Sequence, residues 1–197
     1  MVSQAMDAHD KFEKLEVKSA NELRDWLVKH HAQSESVWLV TWKKAANAPY
    51  VSRDEVLDQL IAFGWIDGIR RQLDKKKTMQ LISPRKQQAW AKSYKDRAEK
   101  LEASGQMHEA GRAAIMFSKQ SGLWNDTDEV DALIIPKDLQ DALSSNEVAW
   151  QFFGASAPSY RRNVLRWLHA AKRKETRAGR ISKIVALSSQ SVKLPNL

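Results

Sequence analysis

Residues 54–92, DEVLDQLIAFGWIDGIRRQLDKKKTMQLISPRKQQAWAK, constrain the fold more than any other stretch of this chain. A helical pattern, a tight Gly-Trp-Ile-Asp-Gly corner, two basic extended segments and a Ser-Pro-Arg exit succeed one another without a gap. Val56, Leu57, Leu60 and Ile61 fall on one face of a helix over 53–63. Ser52 with Glu55 three residues on forms a capping box at its start, and Gly64 stands where a left-handed residue would stop it. Trp65 to Leu73 read as extended, and strict alternation places Asp67, Ile69, Arg71 and Leu73 on one face. An aspartate among apolar neighbours needs a partner, and Arg70, Arg71 and Arg85 are the nearest in sequence. The corner is therefore a candidate anion- or substrate-binding site made of Trp65, Asp67, Arg70, Arg71, Arg85 and Trp90. The competing reading has Asp67 accepting backbone N–H bonds, as the aspartate of an Asp-Gly turn commonly does.

The rest of the chain arranges itself around that stretch. Phe12 to Lys18 read as a short edge strand through Leu15 and Val17, and 21–31 as a helix with Leu23, Trp26 and Leu27 inward. Ser36 to Lys43, SVWLVTWK, is the most apolar strand; apolar residues on both of its faces argue for a central position. Asp74 to Lys77 make a polar hairpin turn between strands near 65–73 and 78–83, and Pro84, which cannot donate to a ladder, ends the sheet. From residue 86 the period turns helical. Trp90, Tyr94, Ala98 and Leu101 share a face up to Gly105, a second helix covers 108–119, and an acidic connection over 123–135 leads to a helix with Pro136 at its first position. Further helices are expected at 146–153, 160–172 and 177–188. The fold class is α+β: a small mixed sheet with flanking helices over 12–85, then a helical region over 86–190 packed on it. A disordered N-terminus over 1–11 and a tail over 191–197 complete the division.

The net charge of +8 matters less than its distribution. Residues 69–100 hold eleven lysines and arginines against three acids, 124–150 one lysine against seven acids, and 158–197 ten against one. Arg161, Arg162, Arg173, Lys174, Arg177 and Arg180 could line a face that meets a polyanion, a nucleic acid or another anionic surface. Alternatively, long basic side chains cover apolar surface on ordinary solvated helices, or pair with the acidic block at 126–141. The eight tryptophans occupy core positions on most elements, which favours packing over a stacking platform for single strands.

Several chemistries have no support. There is no cysteine, so disulfides, thiolate nucleophiles and cysteine metal sites are excluded. No GxxxxGK, GxGxxG, HExxH or GxSxG occurs, and no cofactor is expected. The histidines at 9, 30, 31, 108 and 169 form no constellation, and adjacent His30 and His31 point apart on a helix, so no metal is expected. No apolar run is long enough to span a membrane. The N-terminus has neither a basic nor an apolar signal region, which makes the cytoplasm the expected compartment. An enzyme is unsupported by any spacing, and a protein partner remains open.

GWIDG at 64–68, SPRK at 83–86, AWAK at 89–92 and the late segment AWQFFGASAPSYRRNVLRWLHAAKRKETRAGRISKIV at 149–185 carry a resemblance. In the same order along the chain, they resemble the bacterial YdeI/OmpD-associated, or bacteriocin-protection (OmdA-like), family. The resemblance implies a stress-tolerance role toward bacteriocins and antimicrobial peptides, without agreed catalytic residues.

Overall fold

A computed structural model describes residues 11–195. The expected disordered N-terminus lies, apart from Lys11, outside the described residues, as do Asn196 and Leu197. The chain divides into two compact units, 1–124 and 125–197.

In the first unit, β1 (Lys14–Glu16), β2 (Val37–Trp42), β3 (Trp65–Gln72) and β4 (Lys77–Pro84) form one mixed sheet in the order β1-β2-β4-β3. β1 runs parallel to β2 and is joined to it through α1 (Ala20–His30). β4 lies antiparallel between β2 and β3, so α2 (Arg53–Ala62) carries the chain from β2 to the far edge, and a hairpin returns it. The burial of Val37 through Thr41 on both faces explains why β2 is central. α2 starts with the capping box: Ser52 Oγ accepts from Glu55 N at 3.2 Å, and the Glu55 carboxylate accepts from Ser52 N at 2.8 Å. A cap of this kind contributes about 1 kcal/mol.

The sheet face with Val37, Leu39 and Ile82 meets Leu23 and Leu27 of α1 and Leu60 and Ile61 of α2 in one core. α3 (Lys92–Ala103) and α4 (Glu109–Gln120) belong to the same unit, and Ala98, Leu101 and Met107 extend that core. The change from strand to helix near residue 86 is thus not where the compact units divide. Each fully buried Leu or Ile stabilises by roughly 1.5–3 kcal/mol relative to exposure.

The close seat of α4 on the end of α2 depends on two glycines. A Cβ on Gly111 would lie 2.3 Å from the Ala62 carbonyl oxygen. Gly64 has φ +72°, and a Cβ there would lie 2.9 Å from both Ala110 O and Ala114 Cβ. His108 locks the junction, donating its backbone N–H to Ala62 O at 3.1 Å while its Nδ1 accepts from Ala110 N at 3.2 Å.

The second unit consists of α5 (Asp128–Asp131), α6 (Lys137–Ser144), α7 (Glu147–Ala155), α8 (Pro158–His169) and α9 (Lys174–Ser188). Their core gathers Val130, Leu139, Leu143, Phe153, Val164, Leu168 and Ile184. Pro136 caps α6 from just outside, rather than occupying its first turn. α5 interrupts the stretch expected to be a plain connection.

Candidate functional site: the Asp67–Arg85–Trp90 corner

The alternation expected for β3 fails at Gly68. Asp67 pairs with Ile82 and Arg70 with Gln80, so Gly68 and Ile69 together oppose Leu81 in a β-bulge. A Cβ on Gly68 would lie 3.2 Å from the Leu81 carbonyl oxygen, so the residue type suits the close approach. The extra residue exchanges the two faces of the strand beyond it. Asp67 shares its face with Arg70, while Ile69 and Arg71 do not share it as expected.

That corrects the expected partners of Asp67. Its side chain is only 7% exposed. One carboxylate oxygen accepts from Gln80 Nε2 at 2.9 Å, and the other accepts from the Tyr94 hydroxyl. Arg53 approaches at 3.7 Å from the start of α2. Arg70 instead donates to Thr78 Oγ1 at 3.0 Å, and Arg71 stands over the Trp38 ring at 5.6 Å. Trp65 is a core residue, 1% exposed, whose Nε1 donates to His31 O at 3.1 Å. Asp67 thus takes side-chain donors, and not the backbone donors of an Asp-Gly turn. Burial, with the hydrogen bond to Asp67 second, pushes the Tyr94 phenol up to about 12.

Arg85 and Trp90 do come together beside Asp67. The backbone N–H of Arg85 donates to Gly64 O at 2.9 Å, which ties the sheet exit to the corner. Its Nη1 donates to the carbonyls of Gln88 (3.0 Å) and Ala89 (3.2 Å), so residues 85–89 wrap around the guanidinium. The guanidinium carbon lies 4.1 Å from the Trp90 ring centroid and 5.5 Å from that of Tyr94. Such stacking over aromatic faces contributes about 0.5–2 kcal/mol, more as water is excluded. Nε is buried and has no hydrogen-bond partner. Burial pulls the Arg85 guanidinium down to about 10, with Tyr94 and Asp67 opposing, so it stays charged at neutral pH.

Trp90 does not lie in the helix its spacing suggests. It precedes α3, with its N–H bonded to Leu123 O at 3.2 Å and its indole Nε1 donating to Ser118 Oγ at 2.8 Å. The Ser118 hydroxyl donates onward to Ala114 O at 2.8 Å. A cleft of about 400 Å³ opens here, lined by Arg85, Lys86, Gln87, Ala114, Phe117 and Ser118. Phe117 is 52% exposed and forms its apolar side. A cationic end and an aromatic side suit a small organic anion. Nothing in the sequence singles out Gln80, Tyr94, Ser118 or Phe117. The helical spacing of Tyr94 makes it a core residue, and only the fold shows where its hydroxyl points.

The basic candidates of the second unit have mixed fates. Arg162 and Arg166 approach Asp131 at 3.7 and 2.9 Å, Arg177 grips Asp138 through Nε and Nη2 at 2.6 and 2.9 Å, and His169 meets Asp126 at 3.0 Å. The Arg177 pairing lowers the Asp138 carboxyl below its usual range and raises the guanidinium. Arg161 lies over Phe153 at 5.8 Å, and Arg180 lies over Trp167 at 4.7 Å while donating to the Trp167 carbonyl. Arg173 and Lys174 are exposed, as is Lys172. Among the described residues no helix is long and apolar enough to cross a membrane.

Comparison with known proteins gives two family matches. Residues 15–114 match a family described as a domain of unknown function (DUF8412), and residues 132–191 match the family described as Bacteriocin-protection, YdeI or OmpD-Associated. No curated protein and no solved structure matches the chain. The first match runs from within β1 to the middle of α4, and the second from just after α5 through α9. The chain belongs to the DUF8412 family over half its length, and residues 132–191 of its second unit are similar to the bacteriocin-protection, YdeI or OmpD-associated family.

Proposed function

We propose that this chain has a bacteriocin-protection-type role in stress tolerance and acts by binding, its ligand a small organic anion held in the cleft beside Arg85. The observation that carries the binding site is the half-buried guanidinium of Arg85, which is stacked on Trp90, has a buried Nε without a hydrogen-bond partner, and lines that cleft together with Lys86. A partly dehydrated cation with a donor to spare favours an anion, because the attraction is stronger away from bulk water. Lys86 adds a second cation at the rim, and Phe117 receives the apolar part of the ligand. The match over residues 132–191 supports the protective role.

The test is survival. Bacteria lacking this protein are challenged with a bacteriocin after complementation with wild type, Arg85→Gln or Lys86→Gln, and the protein levels are matched. Restored survival with wild type and loss with both variants is expected. Equal protection by variants that melt like wild type would contradict the assignment of the site.

A further inference from the structure

The second unit forms a partly open cavity of about 360 Å³, with Asp126, Glu129, Val130, Leu165, His169 and Arg177 in its walls. This volume lies in the range of small-molecule sites. Val130 and Leu165 are buried, 6% and 2% exposed, and with Pro136 they give it an apolar wall. Its charges are unevenly satisfied. Arg177 spends Nε and Nη2 on Asp138, so its charge is already balanced by a carboxylate outside the cavity wall. His169 engages Asp126 through Nε2 at 3.0 Å. Glu129 has an exposed carboxylate with no ion pair among the described residues. The cavity therefore presents two carboxylates and no uncommitted cation of equal strength. An anion would meet repulsion from both, whereas a cation with an apolar stem would gain from each wall.

We propose that this cavity takes an alkyl ammonium group, its charge between Asp126 and Glu129 and its methylene stem against Val130, Pro136 and Leu165. A lysine side chain of a polypeptide and a free aliphatic diamine share this chemistry. The site is separate from the Arg85 cleft and stands or falls independently of it.

Titration of the full ¹⁵N-labelled chain followed by NMR tests the proposal, with pentylamine, pentanoate, 1,5-diaminopentane and doubly capped lysine as probes. Pentylamine should give saturable shifts at Val130, Leu165 and His169, and pentanoate should give none. Glu129→Gln, a change on the surface, should weaken pentylamine by about tenfold without lowering the melting temperature. Tighter binding of capped lysine would assign the source to a polypeptide, and tighter binding of the diamine to a free polyamine. Pentanoate binding as well as pentylamine, no saturable shift from any amine, or wild-type affinity in Glu129→Gln would each overturn it.

Discussion

Asp67 shows how far a single residue can be read from its neighbours in sequence. Its place between Ile66 and Ile69 demands a partner, but a bulge at Gly68 turns it from Arg71 toward Gln80 and Tyr94. Asp67→Ala should cost about 1–3 kcal/mol, because it strands two partly buried donors; urea denaturation measures this, and an unchanged midpoint would contradict the role. Tyr94 gives a sharper check. Its phenol is held up to about 12, so the ionised form is disfavoured in the fold. The stability that goes with this is present below the unfolded phenol's pKa of about 10 and is lost as pH rises through the folded value. In absorbance titrations at alkaline pH, the difference between wild type and Tyr94→Phe should stay flat until well past about pH 10. A phenol titrating near its ordinary value would contradict its burial together with the hydrogen bond to Asp67. That Arg85 and Trp90 come together was legible from the Ser-Pro-Arg exit and the tryptophan after it. The bulge was not, because one inserted residue changes a register without changing composition.

At the scale of elements, the junction of α2 with α4 is where small changes should matter most. Gly111→Ala places a methyl against the Ala62 carbonyl oxygen and should destabilise by about 3 kcal/mol, the upper end for overpacking. Thermal melts check this, and a variant as stable as wild type would mean that the helices separate easily. His108 makes the same junction sensitive to acid. Burial comes first, with repulsion from His31 next, and together they hold its pKa below 6.5. The charged form is disfavoured in the fold, so the stability linked to neutral His108 is present above about pH 6.5 and is lost as pH falls through the folded value. His108→Asn, which keeps a capping acceptor without the charge, should lose less stability than wild type between about pH 7 and pH 5. Capping box, hairpin and helix positions were open to reading because each depends on residues a few places apart. The four-residue α5 was hidden, since an acidic run looks like a connection until Val130 is seen in a core.

Across the whole molecule, charge segregation in sequence becomes local pairing in the fold. Asp131 and Asp138 engage Arg162, Arg166 and Arg177, leaving Lys172, Arg173 and Lys174 as the exposed basic run of the second unit. Duplex DNA binding, where measurable, should show a slope of about −2 to −3 in log K against log salt, the value for two or three phosphates. A slope of about −5 or steeper would mean that the paired arginines are recruited too. The sequence offered the acidic block as a partner for the basic tail, but it could not assign the pairs, which depend on the faces α8 and α9 present. Anion binding beside Arg85 is the property on which the proposed role rests, and calorimetric titration of the full chain with phenyl phosphate measures it. Saturable binding to wild type is expected, falling about tenfold or more in both Arg85→Gln and Lys86→Gln, with Lys86→Gln melting as wild type does. No detectable heat with wild type, or wild-type affinity in both variants, would contradict it.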